Sequence, residues 1–300
     1  MSKYLIKGAS LYGEKVADIL IEDGVISRIA ENIDAADAQV VEAAGQVALP
    51  GLVDIHTHLR QPGYEASETV ETGTRAAALG GYTAVFAMAN SLPVADTAAV
   101  VEQVDRLGKE SAWCRVQPIG AVTVGLKGER LSDIGGMANS TANVRVFSDD
   151  GMCVYDPAVM RRALEYVKTF DGVIAQHAQE PRLTEGAQMN EGKVSADLGL
   201  AGWPAVAEEA IIARDVLLAE HLDSKLHICH LSTKGSIEVV RWAKSRGVKV
   251  TAEATPHHLL LTDETARTYD PVFKVNPPLR TEEDVMALRQ ACLLYTSDAA

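Results

Sequence analysis

Pro50-Gly51-Leu52-Val53-Asp54-Ile55-His56-Thr57-His58-Leu59-Arg60 is the stretch whose reading decides the fold. Apolar residues run into two histidines two apart. Side chains alternate faces along a strand, so His56 and His58 point the same way. Two imidazoles on one face at a strand's C-terminal end make half of a preformed metal site. Arg60 shares their parity and reaches the same mouth if the strand persists, where its guanidinium would fork onto a substrate carboxylate. Taken alone, the pair fits a buried strand with two hydrogen-bonded histidines equally well.

Downstream of this stretch the texture is one of alternating strands and helices. Strands are expected at Leu52–His58, Tyr82–Met88, Cys114–Ala121, Val144–Phe147, Val173–Gln176, Lys225–Cys229 and Val248–Ala252. Helices are expected at about 67–79, 96–107 and 205–220, with others starting at Asp156-Pro157, an N-cap followed by proline, and after Ser232-Thr233. Continuous apolar strands separated by amphipathic helices predict parallel strands covered by helices. No GxGxxG follows any strand, which disfavours a dinucleotide fold. Gly186…Gly192-Lys193-Val194 is one residue too long for a phosphate loop, and Val194 stands where a hydroxyl is needed. The expected architecture is α/β, a TIM-like β/α barrel over 51–290 with its site at the C-terminal ends of the strands. Seven strands are counted, and the eighth is missing.

Upstream, residues 1–50 read as short strands, with Glu22-Asp23-Gly24 as a hairpin turn. They form a small β-sandwich part, too small to bury a core alone.

Composition narrows the function. The chain has 300 residues, 47% of them hydrophobic, and a formal net charge of −13. That charge argues against a nucleic-acid or anionic-membrane partner, though a local arginine or metal can still hold an anionic substrate. Met1-Ser2-Lys3-Tyr4 does not open a signal peptide, and no long apolar run suggests a membrane span. Cys114, Cys153, Cys229 and Cys292 show no CxxC spacing, so a reduced cytoplasmic protein is expected. Asn139-Ser140-Thr141 matches a glycosylation pattern that has no meaning without secretion.

The strand ends carry the chemistry. Strand one gives His56 and His58, strand two Asn90, strand four Asp149 and Asp150, strand five His177 and strand six His230. Strand seven leads into His257-His258, and Asn276 follows. Histidines recurring at one end of successive strands fit metal ligands converging on a barrel mouth better than packing. Five ligands exceed the three that one catalytic zinc takes from protein, so two metals with a bridging carboxylate fit better. His227 lies three residues from His230 and cannot share its strand face, so it reads as an ordinary packed or surface histidine. His257 and His258 read as second donors or helix-capping loop residues, His221 as helix surface, and Cys153 as a packed thiol.

These motifs resemble the metal-dependent amidohydrolase superfamily and, within it, the class I bacterial dihydroorotases. The resemblance covers residues 3 to about 290. It rests on Pro50–Gly63, Glu71-Thr72-Gly73, Gly80-Gly81-Tyr82-Thr83, Phe147-Ser148-Asp149-Asp150-Gly151, Gln176-His177-Ala178-Gln179-Glu180, His227–Thr233, Thr251–His258 and Asn276-Pro277-Pro278-Leu279-Arg280. Hydantoinases, dihydropyrimidinases and other dihydroorotase classes carry a carboxylated lysine after strand four; this chain has Asp149-Asp150 there.

The resemblance implies that Asp150 bridges two zinc ions, with His56 and His58 on one and His177 and His230 on the other. It implies Arg60, Asn90 and Asn276 as substrate-binding residues. The implied reaction is reversible closure of N-carbamoyl-L-aspartate to L-dihydroorotate, the third step of de novo pyrimidine synthesis. A homodimer or association with aspartate transcarbamoylase is compatible with it. The competing readings are another cyclic amidohydrolase, of hydantoinase or allantoinase type, and a non-catalytic dihydroorotase-like subunit of aspartate transcarbamoylase. Retention of all four metal histidines favours a catalytic parent.

The family's eighth strand carries a Thr-Asp-His-Ala-Pro-His motif whose aspartate is both ligand and proton shuttle. Residues 291–300 do not resemble its approach and read as an off-pattern tail, and Asp298 is too isolated to replace it. The chain as written is therefore expected to turn over poorly and to be unstable.

Overall fold

The computed structural model describes residues 2–297, which divide into two compact units, one ending at Leu52 and one beginning at Val53. The first unit holds β1 (Lys3–Leu11), β2 (Lys15–Glu22), β3 (Val25–Ala30), β4 (Gln39–Glu42) and β5 (Val47–Ala48). Among the described residues the expected sandwich part is a single mixed sheet, ordered β3-β2-β1-β4, with β5 also on β1. The hairpin between β2 and β3 falls at the predicted turn. Asp23 and Gly24 there take φ of 50° and 80°, the left-handed pair that a tight hairpin of this twist requires. Leu5, Leu20 and Ile33 form the unit's small core.

The second unit alternates as the sequence predicts. Its elements run β6 (Leu52–Thr57), α1 (Val70–Leu79), β7 (Tyr82–Ala87), α2 (Ala98–Ser111), β8 (Arg115–Pro118), α3 (Ile134–Asn139), β9 (Val146–Phe147), α4 (Pro157–Val167) and β10 (Val173–Gln176). A short ribbon follows, β11 (Met189–Asn190) and β12 (Gly202–Trp203) around α5 (Lys193–Leu198). Then come α6 (Val206–Leu222), β13 (Leu226–Ile228), α7 (Lys234–Ser245), β14 (Val250–Ala252), α8 (Pro256–Leu260) and α9 (Glu282–Ser297).

Local chemistry sets the helix starts. Thr69 caps α1 through a reciprocal box with Thr72, so the helix begins three residues later than Ser67 suggested. Asp156 caps α4 ahead of Pro157, and Thr233 caps α7.

The strands pair in two runs, β6-β7-β8 and β9-β10-β13-β14. A parallel bridge between Gly120 and Phe147 joins them, so the seven strands neighbour one another in chain order. A Cβ on Gly120 would come within 2.8 Å of Met137 Sδ and 2.9 Å of Phe147 Cδ1, which is why this junction needs glycine. Ile174, Leu226 and Ile228 are buried under α4, α6 and α7, accounting for the unbroken apolar runs of the central strands. On β6, at one end of the seven, Leu52, Val53 and Ile55 are exposed.

The reading of strand one needs correction. Strand one ends at Thr57, not His58, and Arg60 takes a left-handed φ of 60°, so the parity argument for Arg60 does not hold. Residues 291–297 lie within α9. Asp298 lies outside the described residues. Among the described residues no helix is long and apolar enough to cross a membrane.

Candidate metal centre

Four histidines from three segments surround one carboxylate from a fourth. His56 is the penultimate residue of β6, and His58 follows one residue past its end. Asp150 lies just beyond β9, His177 directly after β10, and His230 two residues after β13. His56 Nε2 is 3.4 Å from Asp150 Oδ1, His58 Nε2 3.3 Å from Oδ2, His177 Nδ1 3.5 Å from Oδ1, and His230 Nε2 3.1 Å from Oδ1. Candidate ligand atoms of His56, Asp150 and His230 all lie within 4.8 Å of one another. The structure thus brings all five sequence-predicted ligands together.

The hydrogen bonds behind the rings show what the cluster is suited to hold. Asn90 Oδ1 accepts from His58 Nδ1 at 3.0 Å, while the Asn90 amide nitrogen donates to the Asp150 carbonyl at 3.4 Å and so fixes the amide's orientation. His58 Nε2 is left as a lone pair facing a carboxylate oxygen. Gln179 Oε1 pairs with His177 Nε2 at 2.8 Å, and its amide nitrogen donates to the Thr184 hydroxyl. His177 Nδ1 then turns its lone pair toward Asp150 and toward His230 Nε2, 2.9 Å away. Lone pairs converging on a carboxylate repel unless a cation or proton lies among them, so the donor set fits divalent metal.

Electrostatics agree. Burial alone would raise the Asp150 carboxyl, but His177, His230 and His56 hold it well below the usual carboxylate range. Burial depresses His58 and His230. Burial also opposes the charge on His56, yet Asp150, Cys229 and Glu253 outweigh it and push that imidazole up to about 12.

Other predicted residues separate from the cluster. Asn90 sits at it, spent on His58 and the Asp150 backbone. Arg60 and Asn276 are exposed, and among the described residues no side-chain hydrogen bond ties either to the histidines. Arg60 is close enough for its charge to lower His58. Asp149 faces away, accepting from Val122 and Thr123. His258 is buried in α8, paired with the Thr255 hydroxyl at 2.7 Å and the Pro277 carbonyl at 3.0 Å. Cys153 is a buried free thiol.

One residue escaped the sequence reading. Glu253, one position past β14, places Oε1 2.5 Å from His56 Nδ1 and accepts from the His230 backbone at 3.2 Å. Its signal was its place, a strand's C-terminal end like every other member of the site.

A β/α barrel whose strand ends gather four histidines around an aspartate defines a metal-dependent hydrolase of the amidohydrolase type. Comparison with known proteins narrows this. Residues 45–236 match the family described as Dihydro-orotase-like. The dihydroorotase of Streptomyces coelicolor is 71% identical over 298 residues, covering 99% of this chain and 70% of that protein. That of Leifsonia xyli subsp. xyli is 68% identical, covering 95% and 65%, and that of Mycobacterium tuberculosis 55% identical, covering 96% and 67%. The chain belongs to the dihydroorotase family. It spans about two thirds of the length of these relatives. In fold it is similar to the L-hydantoinase (dihydropyrimidinase) from Arthrobacter aurescens, with a TM-score of 0.83 at 22% identity, covering 96% of this chain and 66% of that one.

Proposed function

We propose that this chain carries the metal-binding part of a dihydroorotase that interconverts N-carbamoyl-L-aspartate and L-dihydroorotate with release or uptake of water. The observation that carries the reading is Asp150 ringed by His56, His58, His177 and His230, with no lysine in the Ser148–Gly151 loop. In this reading His56 and His58 hold one zinc ion, His177 and His230 a second, and Asp150 stands between. Bound divalent cations supply Lewis-acid polarisation of the ring amide and activation of the attacking water. The protein's own residues orient the substrate. Arg60, one residue past buried Leu59, makes no ion pair among the described residues, leaving its guanidinium for a substrate carboxylate. Asn276, ahead of the buried Pro277–Arg280 segment, is its proposed partner in positioning. Asn90 acts chiefly by holding the His58 ring. A cytoplasmic setting belongs to the same reading, supported by four unpaired cysteines.

The test reads zinc content on the purified chain and turnover on the product of the complete reading frame. Two zinc ions per chain, with hydrolysis of dihydroorotate in preference to hydantoin and dihydrouracil, is the expected result. Preference for hydantoin, or a folded protein that takes up no divalent metal, overturns it.

A further inference from the structure

Glu253 touches three histidines, two at ring nitrogens and one at its backbone N–H. Its Oε1 lies 2.5 Å from the His56 ring nitrogen that faces away from Asp150. The same oxygen accepts the backbone N–H of His230 at 3.2 Å. Its Oε2 lies 3.2 Å from His227 Nε2, and His227 Nδ1 is 2.8 Å from the Thr251 hydroxyl. His230 takes φ of 32°, a conformation uncommon for a residue with a side chain, and there its N–H points at this carboxylate.

We propose that Glu253 is the positioning residue of the metal centre. It fixes the proton of His56 on Nδ1 so that Nε2 faces Asp150, and it pins the His230 backbone in the turn that aims its ring at the same aspartate. The inference rests on the metal-centre reading above. A carboxylate behind a ligating histidine sets ring orientation and basicity, and one carboxylate serving two histidines from the first and sixth of the seven strands couples their placement. The buried His227 ring, held by Thr251, sets its Nε2 beside the other oxygen of Glu253.

The experiment uses the purified chain, E253A and the isosteric E253Q, with thermal unfolding recorded for each. The first readout is the His56 Nδ1–H proton resonance of metal-free protein, assigned by selective ¹⁵N labelling of histidine and an H56N control. A short bond to a carboxylate gives a far-downfield, slowly exchanging proton. It is expected to be lost in E253A and shifted upfield in E253Q. The second is zinc affinity by competition with a chromogenic chelator, expected to fall about 10–100-fold in E253A and less in E253Q. If E253A does not fold, E253Q decides. A resonance unmoved in E253Q, or zinc affinity within about twofold of the unsubstituted chain, overturns the proposal. Should the unsubstituted chain bind no zinc, the metal-centre reading fails and the resonance alone decides the role of Glu253.

Discussion

Asp149 and Asp150 are consecutive in the chain and serve opposite sides of it. Asp149 accepts from the backbone N–H of Val122 at 2.7 Å and of Thr123 at 3.0 Å, and from the Thr123 hydroxyl. Asp150 faces the four histidines. The first fastens the loop after β8, and the second builds the site. D149A is therefore expected to cost about 1–3 kcal/mol of stability, because three buried donors lose their acceptor, while divalent-metal uptake persists. D150A is expected to abolish metal uptake at micromolar zinc. Urea unfolding and zinc stoichiometry on both variants check this; equal metal loss in the two would refute the division.

Zinc itself should stabilise the fold. An ion that binds only the native state adds about 2.7 kcal/mol when present at 100 times its dissociation constant. Chelator treatment is expected to lower the thermal midpoint of the unsubstituted chain and to leave H230N unmoved. A midpoint indifferent to zinc in the unsubstituted chain contradicts the centre.

Arg280 is buried with 1% exposure. Its Nε donates to the Ser232 hydroxyl at 3.1 Å, and its Nη1 to Asn190 Oδ1 at 3.0 Å and the Trp203 carbonyl at 2.9 Å. It thereby ties the segment after Asn276 to the short ribbon and to the loop following β13. R280M fills the volume and leaves these acceptors dry, at a cost on the order of 3 kcal/mol. The urea midpoint reads it, and a change under about 0.5 kcal/mol would sink the argument.

His258 gives a pH dependence with a definite sign. Burial, with His257 beside it, holds its pKa down to about 3, against 6.5 for the exposed residue. Between those values the unfolded chain binds a proton that the folded chain refuses. Its contribution is full above pH 6.5 and is lost as pH falls toward about 3, at up to about 1.4 kcal/mol per unit. H258Q is expected to show a flatter acid limb than the unsubstituted chain in unfolding at pH 7, 6 and 5. Parallel limbs would count against it.

Much of the site was legible because strand order and strand ends are properties of pattern. Val173–Gln176 lies where the sequence placed it, and the five residues read as ligands converge. What was not legible depends on backbone direction and on hydrogen-bond choice. Arg60 fails the alternation because the strand ends at Thr57 and Arg60 itself takes a left-handed φ. Asn90 advertises an amide, but only coordinates show that its oxygen is committed to His58. Glu253 looks in sequence like an acid leading into a helix. Asp149 and Asp150 are equivalent on paper, and one turn of the loop decides between them.

The partners at the centre are distant along the chain. His177 and His230 are 53 residues apart, Asp150 and His230 80, and His56 and Glu253 197. Loops of that length must close before any of these contacts can form, so their entropic cost falls early and their reward comes late. Contacts of such separation are the slow ones to form, which favours local apolar packing over the centre as the first structure. The chain has to find its topology by apolar burial, and a metal would bind to residues that this topology has already brought together.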